Sequence, residues 1–503
     1  FYINFLSAGG KIAVTTPTIH YPRRRKFMRT KYHQITLKDT FSDCQEMFQE
    51  DTPSFFMLLG DTLDISEFIP ADFYHAFYQT LGRKRLYPLE GFLSALILQK
   101  IFSIPTDSLL ILFLGLCREL RDFCGFSKVP DAPLFSRFRT SFEPYIEQMF
   151  HKLVDLTEPI CHLIDSSLAD ILTFDTSGIE LYVTENNPKT LNSLIKRLKA
   201  YYRDNPDVDP YRMAYALMPS RAASCPDAKQ QYINGHFCYA DKFAVLTNGL
   251  GIIRHITFLD DDFKKAHPEM TVDKKSDSPD EDKSIGDSSS LHPVLSGYFS
   301  LHPQFSPDTF LGDSAFDTIE TYGFLKEEFH FSKALIPYNV RNESSLPEVG
   351  YNLYGYPTCP NDPSLAMKHL GHCHEKGRAD REKWGCPKVH MVKGQYVCSC
   401  DNPCSTAKKG RTAYTYENMD FRRFPGIQRD SEEWDALYKI RTIVERAINH
   451  LKTNMCVAGR KSRHHVTTKA DVFLAGIAGQ LTVIVAHRLS YPQYIRSLKP
   501  LIA

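Results

Sequence analysis

The sequence predicts an α/β chain: a mixed sheet flanked by helices, preceded by an all-helical segment and interrupted by insertions. Three observations carry this. Short apolar runs bounded by turn residues recur between about 171 and 338, as strands require. Apolar residues at helical spacing occupy Ile65–Thr157 upstream and Tyr438–Lys452 downstream. Acidic and cysteine-rich stretches poor in large apolar residues separate these blocks.

With 503 residues, 43% hydrophobic and 24% charged, the chain can build two or three domains with real cores. No segment reaches a membrane span. SALILQKIFSI and SLLILFLGL are divided by Gln99, Lys100, Pro105 and Asp107, and FLAGIAGQLTVIVAHRL carries Gln480 and His487, so all read as buried helices. The opening FYINFLSAGGKIAVTTP lacks the basic leader of a secretory signal, and Met28 is a candidate start. The net charge of +1 is a cancellation. Pro22–His33 and Gly459–His465 are basic, whereas Asp260–Ser290 is acidic and reads as a solvated insertion. Local cation density is what a phosphate-binding surface needs.

Within the helical segment, Asp107 is expected to cap a helix running to about Phe123. A second helix is expected to open at Asp131 with Pro133 in its first turn. It begins LFSRFRTSF, presenting Arg137 and Arg139 where a recognition helix would read a major groove. The alternative is a bundle that packs on the core.

Next, Ile171–Val183 (ILTFDTSGIELYV) reads as a strand with Asp175 after its apolar run. HFCYADKFAVLTNGLGIIRHITFL reads as two strands joined at Thr247, Asn248 and Gly249. TFLGDSAFD places Asp313 after Phe310 and Leu311, with Asp317 as a rival, and Phe329–Tyr338 supplies another strand. Taken singly, each aspartate also reads as an ordinary turn acid.

The downstream helix, YKIRTIVERAINHLK, places Tyr438, Arg441, Glu445 and Lys452 on one arc about 60° wide, beside an apolar stripe from Ile440 to Leu451. Arg441 and Glu445 also form the i,i+4 pair common on solvated helices. The spacing of the four residues resembles the YREK signature of DDE transposases from bacterial insertion sequences, and two upstream aspartates in the right order strengthen the resemblance. It covers about Ile171–Leu489 and implies an RNase H-like catalytic core, with Asp175, Asp313 and Glu445 as catalytic carboxylates holding two Mg2+ ions, Mn2+ substituting. Two such ions about 3.5–4 Å apart stabilise attacking and leaving oxygens in phosphoryl transfer. The resemblance further implies phosphate contacts by Tyr438, Arg441 and Lys452, and double-stranded DNA as partner, both terminal inverted repeats and target. It also implies a homodimer at paired ends, and a cytoplasmic, nucleoid-associated setting without membrane. From their basic tract, Arg460, Lys461 and Arg463 are further DNA-binding candidates. A silent DNA-binding descendant and an RNase H-like nuclease without strand transfer remain the alternatives.

Six cysteines, Cys359, Cys373, Cys386, Cys398, Cys400 and Cys404, crowd one stretch with four histidines. Such thiolate density is a candidate zinc site, although paired CxxC knuckles are absent and free thiols are the alternative. The expected organisation is therefore a basic arm over 1–35, a helical domain over 36–160, a first catalytic part over 165–345 with an acidic insertion at 260–305, a Cys/His-rich insertion over 346–430, and a final catalytic part over 431–490.

Overall fold

Among the described residues, six α-helices lead into the sheet. They are α1 Ser54–Thr62, α2 Ala71–Phe77, α3 Leu89–Ile101, α4 Asp107–Leu116, α5 Arg118–Phe123 and α6 Ala132–Ala169. The computed structural model describes residues 54–79, 84–205, 207–233, 236–270, 285–339, 350–352, 354–416, 420–460 and 462–501. The basic arm over 1–35 and Lys461 lie outside the described residues. Along α6, Phe135, Phe138, Phe142, Ile146, Met149 and Leu153 recur at helical spacing and are buried. The helix kinks at Phe142 and Asp165 and contains Pro144 and Pro159, which remove backbone donors.

The helix expected over 107–123 is two helices. Cys117 adopts extended geometry, ending α4, and its sulfur caps α5 by accepting from Leu120 N at 3.4 Å. The cap of α4 is Thr106 and not Asp107.

From α6 the chain passes through Asp170 into β1, Ile171–Glu180, whose first four residues are buried as in a strand covered on both faces. Helices α7 Pro188–Tyr201 and α8 Pro210–Leu217 follow. Then come β2 Arg221–Ala222, β3 Cys225–Ile233, β4 His236–Asn248 and β5 Ile253–Phe258. The expected hairpin at Thr247–Gly249 is present, closing through Gly251 at φ +77°. A Cβ at Gly251 would lie 2.8 Å from Ile443 Cγ1, so glycine also permits close approach of the downstream helix.

The acidic insertion expected over 260–305 is only partly an insertion. Asp260 caps α9, Asp261–Ala266, and α10, Asp287–Leu301, buries Leu291, Val294, Leu295 and Tyr298 in the core. After it, β6 Thr309–Leu311 runs parallel to β1, and β7 Lys333–Leu335 runs parallel to β6, with the short helix α11 Ile319–Gly323 between them. The strand expected over 329–338 shrinks to three residues. His330 at φ +59° turns the chain before it, and Ile336 O is taken by Tyr322 and Arg429 side chains. The sheet order is β2-β3-β4-β1-β6-β7, with β5 also paired to β4.

The cysteine-rich segment forms small separate sheets: β8 Thr358–Cys359 with β9 Asp362–Ala366, β10 Lys368–Cys373 with β11 Arg381–Gly385 and β14 Thr412–Thr415, and β12 Val389–Val392 with β13 Gln395–Cys398. The chain then returns through α12 Glu432–Tyr438, α13 Ile443–Asn449 and α14 His465–Arg488. Helix α14 is long and apolar enough to cross a membrane, yet 89% of its apolar window is packed inside against α6 and the sheet. One apolar core runs from Phe55 through Phe174 to Leu498, so the helical segment and the sheet share an interior.

Candidate active site

The parallel pairing of β1 with β6 sets Thr173 beside Leu311. Asp175, inside β1, and Asp313, just past the end of β6, each lie two residues further on, on adjacent strands about 4.8 Å apart. Asp175 sits opposite Val245 of β4, and its Oδ1 accepts from Thr176 N at 2.8 Å. Burial pushes its carboxyl up to about 6. Thr176 N–H and the Arg441 charge oppose that rise, while Glu445 and Asp287 add to it. Asp313 precedes the 3-10 turn Ser314–Phe316 and accepts from Ser314 Oγ at 3.1 Å.

The third acid arrives on the downstream helix, which is less regular than its spacing predicts. A 3-10 turn, Lys439–Thr442, joins α12 to α13, and a π turn, His450–Asn454, follows α13. Such π turns recur at functional sites. Across this irregular helix Arg441 still reaches two acids. Its Nη2 donates to Asp313 Oδ2 at 3.0 Å and its Nη1 donates to Glu445 Oε1. The Arg441 side chain is 13% exposed against 48% for each carboxylate, so the guanidinium stands behind two acids that face solvent. Arg441 Nε is buried without a hydrogen-bond partner.

The other signature residues surround this cluster. Tyr438 donates to Gly312 O at 3.4 Å and stacks on Trp434, with its phenol raised by burial. Lys452 Nζ donates to Ser177 Oγ at 3.2 Å on β1, and burial lowers its ammonium. Asp287, at the start of α10, escapes the sequence reading. Its Oδ1 accepts from Thr176 Oγ1 at 2.6 Å and pairs with Lys242 at 2.6 Å. The signal was the helix start after Gly286, hidden inside an acidic stretch. Asp317 is not the second aspartate of the cluster. It is fully buried and accepts from Arg422 at 3.2 and 2.7 Å and from Asn339 N at 2.6 Å.

The donor set of Asp175, Asp313, Glu445 and nearby Asp287 consists of hard oxygens, the chemistry magnesium takes. Among the described residues, no three carboxylates, imidazoles or thiols already stand as a closed ligand set. At the acids the reason is visible: the Arg441 guanidinium occupies the space between Asp313 and Glu445.

The expected basic contacts divide. Arg137 and Arg463 are exposed, and Arg463 lies 5.3 Å over the Tyr182 ring. Arg139 is corrected from groove reader to core residue: it is fully buried and donates to Asp107, Asp471 and Gln99 at 2.8–3.1 Å. Arg460 is likewise turned inward, donating to Asp107 at 2.7 Å and Asp471 at 3.0 Å. The α4–α6 pair therefore packs into the core on this face. Of the six clustered cysteines, all are free thiols. Cys373, on β10, pairs in register with Arg381 of β11.

Residues 42–141 match the family model of a transposase domain (DUF772). No curated protein matches the chain.

Proposed function

We propose that this chain is a DDE transposase with an RNase H-like core, cutting and joining DNA at the ends of an insertion sequence. The observation that carries the reading is the meeting of Asp313 and Glu445 on Arg441, beside Asp175 on the neighbouring strand. The sheet supports it too. An antiparallel hairpin lies on one side of β1 and two parallel strands on the other, with Asp175 inside β1 and Asp313 just past the end of its neighbour β6. The transposase domain supports DNA as the substrate.

In this reading Asp175, Asp313 and Glu445 hold two magnesium ions, which when bound stabilise the attacking and leaving oxygens of the phosphodiester. Arg441 releases the carboxylates and turns its planar fork to a phosphate, a bidentate contact for which its unpartnered Nε is available. Lys452 supplies a point charge near the end of β1, and Tyr438 braces the helix against Gly312. Water attacks first and frees a 3′ hydroxyl at the element end; that hydroxyl then attacks a target phosphodiester. Paired ends call for a dimer.

The test is a duplex carrying the element's ends, incubated with magnesium. The expected result is 3′ nicking and joining to a second duplex, with Asp175→Asn lowering nicking about 100-fold or more. Nicking without joining means a nuclease, and a gel shift without nicking in Mg2+ or Mn2+ means a silent descendant.

A further inference from the structure

Helix α7 carries Lys189, Lys196, Arg197 and Lys199, with Arg203 just past its end, and residues 188–203 include no acid, although the net charge of the whole chain is only +1. All five cations are exposed. Lys189 and Lys196, seven residues apart, fall within about 20° of one line and about 10.5 Å apart along the axis, and Arg203 continues the series. Asn192, Ser193 and Ala200 lie between them, exposed and small enough to let a partner come close. The opposite face is already covered: Ile195 and Leu198 are buried with Ala214 of α8, and Leu191 and Leu194 pack against the cluster containing Leu181, Val183 and Tyr239. A basic helix with its apolar face covered by its own fold has none left to insert into a lipid surface.

The charges do not serve the helix that bears them. Lys189 occupies the first turn, where the helix dipole favours an acid, and Lys196 and Lys199 are like charges at i,i+3. Among the described residues no carboxylate pairs with Lys189, Lys196, Arg197 or Arg203. Lys199 turns to Tyr211 of α8 instead, donating to its Oη at 2.8 Å with the ammonium 4.4 Å from the ring centre. The acids Asp204, Asp207 and Asp209 lie in the connection to α8, and Asp209 caps that helix by accepting from Tyr211 N at 2.9 Å. At its root α7 meets a second basic stretch. Tyr182 N donates to Ser462 O at 2.8 Å, and Arg463 lies 5.3 Å over the Tyr182 ring. Tyr182 is seven residues along the chain from Asp175, at most about 24 Å, or the length of about seven base pairs.

We propose that the outer face of α7 holds target DNA by its sugar-phosphate backbone, without regard to base sequence. Charge complementarity carries the assignment: a ridge of unpaired cations separated by small residues fits a line of phosphates, and phosphate contacts carry no sequence information. Target duplexes of arbitrary sequence share only that backbone. The inference rests on the transposase reading for the identity of the duplex, and it adds a surface outside both the carboxylate cluster and the matched transposase domain.

The test is binding of the full chain to a labelled duplex that lacks element ends, with chelator present so that no cleavage enters. Combining Lys189→Gln, Lys196→Gln and Arg203→Gln is expected to weaken binding about 100-fold at 0.15 M salt and to reduce the slope of log affinity against log salt by about 2.7. Lys189→Arg with Lys196→Arg keeps the charge and is expected to keep the affinity. Removing three exposed cations elsewhere, by Lys265→Gln, Lys376→Gln and Lys408→Gln, is expected to weaken binding by less than about 3-fold, since distant charges are screened. In the cleavage assay the α7 variant should nick element ends as wild type does and join them less to limiting target. An α7 variant that binds the unrelated duplex as wild type does, or loses no more than the control variant, overturns the proposal. So does a loss confined to duplexes carrying element ends, which makes α7 an end reader. A wild-type chain that never nicks overturns the carboxylate reading alone, because binding in chelator is scored without it.

Discussion

Two clusters in this fold set an arginine between two carboxylates, and they are built to opposite ends. In the first, Arg139 lies between Asp107 and Asp471, and Lys100 and Arg460 share the same acids, with no side chain more than 20% exposed. Three cations meet two acids. In the second, Arg441 lies between Asp313 and Glu445, each 48% exposed, with Asp175 behind them. One cation meets three acids. The ionisable groups feel the surplus in each. Burial, with Arg460 and Arg139 adding to it and Asp471 opposing, brings the Lys100 ammonium down to about 8; burial, with Glu445 and Asp287 adding to it and Thr176 N–H and Arg441 opposing, brings the Asp175 carboxyl up to about 6. A surplus sealed from solvent can only hold helices together, whereas an open surplus of acid can recruit a cation. Arginine between carboxylates is therefore no signature of a site until the charge balance and the exposure are known.

The sharpest way to break this comparison is to remove an acid from each cluster. Asp471→Ala leaves Lys100, Arg139 and Arg460 buried with one acid for three charges. It is expected to cost about 3–5 kcal/mol in chemical denaturation, and a cost under about 1 kcal/mol would sink the structural assignment. At the open cluster, Asp313→Asn and Glu445→Gln should change stability by no more than about 1 kcal/mol, because the pairs are half exposed. Magnesium-dependent nicking should fall about 100-fold or more in both. If nicking survives in Glu445→Gln, the acid is a surface partner of Arg441 and nothing else.

Much of the open cluster was legible in the sequence. Asp175 and Asp313 follow apolar runs that become adjacent strands, and Glu445 follows Arg441 by one helical turn. The sealed cluster was legible in one residue only: Arg139 falls at helical spacing with Phe135, Phe138 and Phe142, on the buried stripe, whereas Arg137 faces solvent. Its partners could not be read, because Asp107 and Asp471 are brought together over hundreds of residues by packing of α4, α6 and α14. The same holds for Asp287, whose value as a neighbour of Asp175 depends on where α10 docks. The 3-10 and π turns of the downstream helix reflect docking on β1 and the β4–β5 turn, which helical periodicity does not encode.

A smaller effect concerns stability against pH. Unfolded, Asp175 loses its proton near 3.8, while the fold holds it to about 6. Raising pH across that window therefore costs stability, and the cost persists above pH 6. Asp175→Asn should make the metal-free chain about 3 kcal/mol more stable than wild type at pH 7–8, with the gap closing below pH 4. Denaturant titrations with chelator present measure it. Equal stability at pH 8 would mean that Arg441 already neutralises Asp175 fully.

The smallest effect at neutral pH lies in a third arrangement, where titratable groups are buried without charge. His151 Nδ1 stands 3.1 Å from His302 Nε2, His302 pairs with Asp155 at 2.6 Å, and the His255 ring lies 5.4 Å from that of His151. Burial holds His151 down to about 3 and His255 well below its ordinary value, with neighbouring imidazoles adding to each shift. An unfolded histidine gains its proton near 6.5, so these groups contribute full stability above that pH and lose it as pH falls toward 3. The sealed carboxylates Asp107 and Asp471 are held below their ordinary range, chiefly by Arg139 against the cost of burial, so their share is lost only below about pH 4. His151→Phe should thus leave stability at pH 7.5 within about 1 kcal/mol and flatten the limb between pH 6.5 and 4 by about 1.4 kcal/mol per pH unit, one proton's worth. A limb unchanged in slope would mean that His151 takes up no extra proton on unfolding between pH 6.5 and 4.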